Sequence, residues 1–347
     1  MSLLHAPTPP AVTQVLDDAT AALAGGPADA LALAGRLQAV LPLPGSGGTT
    51  LLWQTLADLA RLDLGLARAV EPHLDAHAIL AEAVAAGVLD DPSPAPAGST
   101  WGVFAAEGGT DPVRAHRGGG QWLLTGTKPW CSLAGDLSHA LVTAWVDEHR
   151  RGLFAVDLSQ PGVRPDTGPG RWVGRGLREV VSLPVALEDV VATPVGPPGW
   201  YLERDGFAWG GIGVAAVWFG GAVHLAERLT APQRREPDQV ALLHHGTVDV
   251  VLTAARAVLA DAARAVDAGR LAGHAGAGEA LRVRCVVHDG CERVVRALSH
   301  GLGPAPLVTE ERTSKAVADL QVYLRQHHAE RDEAALGRHL ADHGTWW

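Results

Sequence analysis

Cysteine is scarce in this 347-residue chain, and the three present, Cys131, Cys285 and Cys291, are not spaced for a disulfide framework or a zinc site. Lysine is scarcer still, with only Lys128 and Lys315 among the 28 basic residues. Together with abundant Ala and Gly, that skew reflects coding composition rather than chemistry, so Lys128 carries no catalytic weight. A formal charge of -10 and a pI near 5.9 leave no basic excess for nucleic acid or an anionic membrane. No uninterrupted apolar run reaches the roughly 18 residues that a bilayer span needs, because glycines break the longest stretch between 210 and 221. The opening MSLLHAPTPPAV has neither the basic flank nor the apolar stretch of a leader, so a cytoplasmic location is expected.

What is present divides the chain into three zones. Apolar residues recur at helical spacing from about residue 11 to 98, as in Leu51, Leu52, Leu56, Leu59 and then Ile79, Leu80, Val84. A Pro/Gly loop at 42–50 and another at 90–98 punctuate this zone. From about 99 to 198 the period changes to two, with short runs at 101–105, 121–126, 139–146, 153–158 and 180–187 separated by turns such as RGGG and SQPG. Helical spacing then returns over 213–229, 240–268, 279–299 and 311–337. Helices, strands and helices in blocks exclude a doubly wound sheet. The expected organisation is α+β: a helical unit over 1–98, an antiparallel β barrel or sandwich over 99–198, and a helical bundle over 199–347.

Several patterns carry no chemistry on inspection. PGSGG at 44–48 and GGIG at 210–213 lack the strand-turn-helix setting of a dinucleotide fingerprint, and the second reads as close helix packing. His73 and His77 lie one helical turn apart, but no third ligand is suggested and the HExxH glutamate is absent, so no metal is expected.

WGVFAAEGGTD at 101–111 and LLTGTKPWCSLAGD at 123–136 are more specific. They resemble the flavin-facing strands of the acyl-CoA dehydrogenase family, whose pattern is TE-P-GSD followed by G-x-K-x-W-I-T/S-N-A. The helix-strand-helix order also resembles that family, as do LARLDLGLARAVEPHLDAHAIL at 59–80, like its acyl-pocket helix, and SHGLGPAPL at 299–307, like its Q-x-x-GG-x-G turn. The resemblance implies FAD as cofactor. It implies Trp130 as a wall against the flavin ring, Cys131 beside it and Ser132 as the hydroxyl at flavin N5. It places backbone from Phe104, Ala105 and Ala106 on the pyrimidine edge, and Arg228, His300, Gly301 and Gly303 near the pyrophosphate of a neighbouring subunit. A hydroxyl two residues beyond an indole on an extended strand shares its face.

The chain departs from the family's pattern at the base. Aligning Asp319 and Tyr323 with the segment D-x-x-x-x-Y-x-x-Y-E-G-T puts His327 where the catalytic glutamate belongs. Some relatives carry that glutamate on an earlier helix, but the corresponding positions here are Trp209, Gly210 and Gly211, so neither place offers a carboxylate. His327 suits proton abstraction near neutral pH, with Glu330 one helical turn later orienting it or acting instead. Ala106 replaces a hydroxyl that the family offers to the flavin, and Ala231-Pro232 replaces a Phe-Gly within 226–240.

Three functions are consistent with these residues: α,β-dehydrogenation of an acyl thioester, flavin-dependent monooxygenation with a reductase partner, and a non-catalytic scaffold on the same fold. A pyrophosphate site completed by a neighbour implies a homodimer or homotetramer. The terminal indoles Trp346 and Trp347 are a second hint of a docked partner.

Overall fold

The computed structural model describes residues 3–20, 26–89, 95–166, 168, 171–232 and 236–345. Parts of the expected 90–98 loop, the centre of the 226–240 segment, and both terminal indoles lie outside the described residues. Four helices come first: α1 (Pro10–Asp17), α2 (Pro27–Gln38), α3 (Thr49–Leu62) and α4 (Leu64–Ala85). Proline opens α1 and α2, where its missing N–H costs nothing. Asp63 separates α3 from α4 in extended backbone and caps α4 by accepting from the Leu66 N–H at 2.9 Å.

Seven strands follow: β1 (Trp101–Phe104), β2 (Arg114–Gly118), β3 (Gln121–Ser132), β4 (His139–Trp145), β5 (Arg151–Asp157), β6 (Val163–Pro165) and β7 (Ser182–Pro194). The pairings β4–β2, β2–β3, β3–β7, β7–β5 and β5–β4 close a ring, with β1 on β4 and β6 on β7. Closure removes the open edges that an isolated sheet would present. The barrel is mixed rather than wholly antiparallel, because β1 and β2 both run parallel to β4. The charged strand β2 and the three-residue β6 have too little apolar alternation to be seen in sequence.

The remaining helices are α5 (Trp200–Glu203), α6 (Asp205–Thr230), α7 (Gln239–Asp267), α8 (Gly273–Leu302), α9 (Ala305–Thr309), α10 (Glu311–Tyr323) and α11 (Glu330–His343). Helix α6 forms the centre of the structure. By length and composition it could cross a membrane, yet it is mostly buried within the protein. Its glycines lie inside the helix: Gly213 faces the Trp53 indole, and a Cβ at Gly220 would strike the Ala57 carbonyl. Small residues therefore bring α6 against α3. The expected helix 311–337 is two helices, since a 3-10 turn at Leu324–Gln326 and the positive φ of Ala329 break it. One apolar core runs from Leu4 to Leu324 across the helices and the barrel. A smaller cluster, including Ile79, Trp101, Leu141 and Tyr201, joins α4 to the strands.

Candidate functional site

The end of β3 is irregular. Its register with β7 shifts between Lys128 and Cys131, and Trp130 and Leu133 take φ values of 58° and 57°. Non-glycine residues rarely adopt that region, and such strain tends to collect at functional positions. The bulge interrupts the alternation on which the one-face expectation for Trp130 and Ser132 rested. The Trp130 side is 64% exposed, whereas Ser132 is buried. Its Oγ lies 2.7 Å from Ser182 Oγ and accepts a hydrogen bond from Arg68 Nη2 at 3.0 Å.

A buried lysine holds this strand to the loop after β1. Lys128 Nζ donates to Glu107 Oε1 and to Thr143 Oγ1, both at 2.7 Å. Arg151 and the Trp145 indole N–H also reach Glu107. Burial pushes Glu107 up, but the bonds from Lys128 and Arg151 outweigh it and hold the carboxyl below its ordinary value. Lys128 is therefore an organising residue that composition alone had discounted. Phe104 is buried at the end of β1, and Ala105 and Ala106 leave the sheet half-buried. Cys131 is buried with its thiol pushed up to about 12 by burial, which keeps it protonated. It lines a 370 Å³ cavity with Leu133, Asp136, Asp166, Trp172 and Leu183.

Arg68 belongs to a seam of ionisable groups between α4, α6, α8 and α10 that the sequence reading missed. Its guanidinium approaches Glu71 at 3.4 Å and lies 5.4 Å from the Tyr323 ring centroid. Burial raises Glu71 to about 7, with Arg68 opposing and Asp75 reinforcing the shift. Arg204 pairs with Glu82 at 2.6 Å. Arg284 donates to the carbonyls of Gly211 and Gln326 and stacks 4.6 Å over the Trp218 ring. Arg-x-x-Glu-x-x-x-Asp spacing along α4 puts Arg68, Glu71 and Asp75 on one face, a signal available in the sequence.

The expected base pair does not assemble. His327 is buried, its Nδ1 accepts from the Ala329 N–H at 3.1 Å, and its Nε2 faces Cys285 Sγ at 3.5 Å and Asp332 at 3.7 Å. Burial and then the stacked His288 ring lower it to about 4. Glu330 opens α11 in solvent. The helix break puts the two residues on different elements, so the shared-face argument fails.

Of the expected pyrophosphate residues, Arg228 is paired within the chain. Arg228 donates from Nε and Nη2 to the two oxygens of Glu310, at 2.7 and 2.6 Å. His300 lies 6.2 Å from His244 between ring centroids. Gly301 is inside α8, where a Cβ would meet Leu229 and His244, and Gly303 ends that helix at φ 67°. His73 donates to Gln38 and accepts from the Trp101 N–H, while Gln38 also reaches His77. No cluster suited to a metal exists among the described residues.

Neither the family models searched nor the curated proteins match this sequence. Solved structures do. KijD3, described in complex with FMN and dTDP-3-amino-2,3,6-trideoxy-4-keto-3-methyl-D-glucose, aligns over 99% of this chain and 97% of its own, with a TM-score of 0.79 and 20% identity. The nitrososynthase from Micromonospora carbonacea var. africana aligns over the whole of both chains, with a TM-score of 0.76 and 18% identity. Butyryl-CoA dehydrogenase from Megasphaera elsdenii aligns over 97% of this chain and 99% of its own, with a TM-score of 0.76 and 16% identity. The chain has the acyl-CoA dehydrogenase fold.

Proposed function

We propose that this chain is a flavin-dependent oxidoreductase whose reaction is an oxygenation, with FMN as the flavin that fits better. The observation carrying the flavin site in this reading is Trp130: a bulky indole held at a strained φ and left largely open to solvent, beside a buried Ser132–Arg68 pair. An exposed aromatic in that setting is suited to stacking on a planar ring. Trp130 would wall the ring, the loop at Ala105 and Ala106 would offer backbone to its polar edge, and Ser132, fixed by Arg68 and Ser182, would place a hydroxyl against it. A reduced flavin supplies the electrons for activating dioxygen.

FAD, which the sequence resemblance suggests, asks for more. The resemblance puts Arg228 at its pyrophosphate, and Arg228 is committed to Glu310. KijD3 was described with FMN. A free FMN also implies a reductase partner that delivers it reduced. The second reading, dehydrogenation of an acyl thioester, is favoured by the carboxylates Glu71 and Asp75 near the Ser132–Arg68 pair. Self-association into a dimer or tetramer belongs to the proposal. Val240, Leu242, Leu243 and Val250 form an apolar stripe on α7 that is more than half exposed in one chain. The three-unit division at 98/99 and 198/199 and a cytoplasmic location are kept as parts of the same reading.

Loading the protein with FMN and presenting butyryl-CoA without oxygen, then dioxygen to the chemically reduced form, separates the readings. Oxygenation predicts no bleaching by thioester and rapid reoxidation by oxygen. Bleaching by the thioester favours dehydrogenation. Failure to take up any flavin leaves only the scaffold function.

A further inference from the structure

The sequence offers no carboxylate on α6 where some members of the resembled family carry one, since Trp209, Gly210 and Gly211 stand there. In space the place is not empty. Asp75 projects from α4 toward Gly210, so that a Cβ on Gly210 would lie 3.0 Å from Asp75 Oδ1 and 3.9 Å from Oδ2. The glycine leaves the room that the carboxylate fills.

Asp75 also differs from its neighbours. Glu71 is met by Arg68, Glu82 is paired with Arg204, and Arg284 is spent on two carbonyls and the Trp218 ring. Asp75 has no ion pair and no hydrogen bond among the described residues, and the residue is half-buried. The groups facing it are Arg68, Glu71 and Glu82 of α4, Tyr201 of α5, Arg204, and Tyr323 of α10. Burial raises its affinity for a proton, Arg204 and Arg68 oppose this, and Glu82 adds to it. An unpaired carboxylate with a raised proton affinity, facing the space that a glycine leaves, has the properties of a general base.

We propose that Asp75 takes the substrate's proton, presented from α4 across Gly210 in place of a residue on α6. In that step Asp75 gains the proton and the substrate keeps the electron pair. The oxidation that uses the pair rests on the flavin reading above, but the proton transfer can be tested without flavin. Glu71 is the competing acceptor, with one carboxylate oxygen 3.4 Å from Arg68, and the variants below separate the two.

Nitrobenzisoxazole is a suitable probe for the apoprotein. A base removes its ring proton as the N–O bond breaks, and the coloured cyanonitrophenolate is released with no oxidant required. The wild-type protein is expected to accelerate this elimination beyond equimolar acetate, with a rate that rises with pH through a midpoint above the ordinary aspartate value. Asp75→Asn lowers the rate by about a hundredfold, Asp75→Glu restores part of it, Glu71→Gln lowers it less than Asp75→Asn does, and Gly210→Ala lowers it by crowding Oδ1. Circular dichroism melts establish that each variant folds. Unchanged elimination in Asp75→Asn, loss in Glu71→Gln instead, or no acceleration by the wild type overturns the assignment. FMN uptake by equilibrium dialysis is measured on the same samples: loss of uptake with Asp75-dependent elimination intact removes the flavin reading alone.

Discussion

Replacing Trp130 by alanine separates a ring wall from an ordinary surface indole. A tryptophan offers up to about 250 Å², and 64% of this residue's surface is open. A flavin ring covers one face, so about half of the open area, or about 80 Å², becomes buried on binding. At about 25 cal/mol per Å² this amounts to about 2 kcal/mol, or about a thirtyfold loss of affinity in the variant. The same exposure means that little packing is lost in the free protein, so its melting temperature should hardly change. Because φ is 58° at this position, Trp130→Gly relieves strain and should match or exceed the alanine variant in stability. Isothermal titration with FMN gives the affinity, and circular dichroism without flavin gives the stability. An alanine variant that binds FMN as tightly as the wild type refutes the wall. A variant that loses binding and folding together refutes the surface-exposure argument.

Further expectations concern packing, protonation and cofactor choice. Gly220→Ala drives a methyl group into the Ala57 carbonyl, and a cost of about 1–3 kcal/mol should appear as a lower melting temperature; an unchanged melt contradicts the close α3–α6 contact. The folded His73 ring is held by burial at about 4, below its ordinary 6.5, so the unfolded chain binds more protons between those values. Its contribution is fully present above about pH 6.5 and falls by about 3 kcal/mol as the pH drops to about 4. His73→Gln should therefore flatten the acid side of the stability profile, and an identical profile counts against a buried neutral ring. Glu310→Gln weakens the hold on Arg228 and should raise FAD affinity relative to FMN by about tenfold, whereas a constant ratio means that the ion pair does not set the choice.

The fold was legible because its signals are long and periodic. Helical spacing over Leu51–Leu59 and Ile79–Val84, then alternation through β3, β4 and β5, is enough to order the three blocks. Short or charged elements were not legible: β2 reads Arg-Ala-His-Arg-Gly, and its strand character comes from partners on both sides. The one-face expectation for Trp130 and Ser132 did not survive the bulge between Lys128 and Cys131, which leaves the indole exposed and the hydroxyl buried. The site was misread where linear spacing stood in for space. His327 and Glu330 look like helical neighbours until Ala329 adopts a positive φ between them, and Gly210 looks like a missing carboxylate until Asp75 arrives from a helix 135 positions earlier. Lys128 was discounted for its rarity, although a buried lysine beside Glu107 is a local arrangement that the segment around β1 and β3 forces together.

The visible spectrum of the purified protein during titration with FMN, and separately with FAD, decides whether the end of β3 forms a flavin site. Uptake of one FMN per chain with a perturbed flavin spectrum, and weaker uptake of FAD, are expected. A protein that remains colourless with both flavins, while folded by circular dichroism, contradicts a flavin site there.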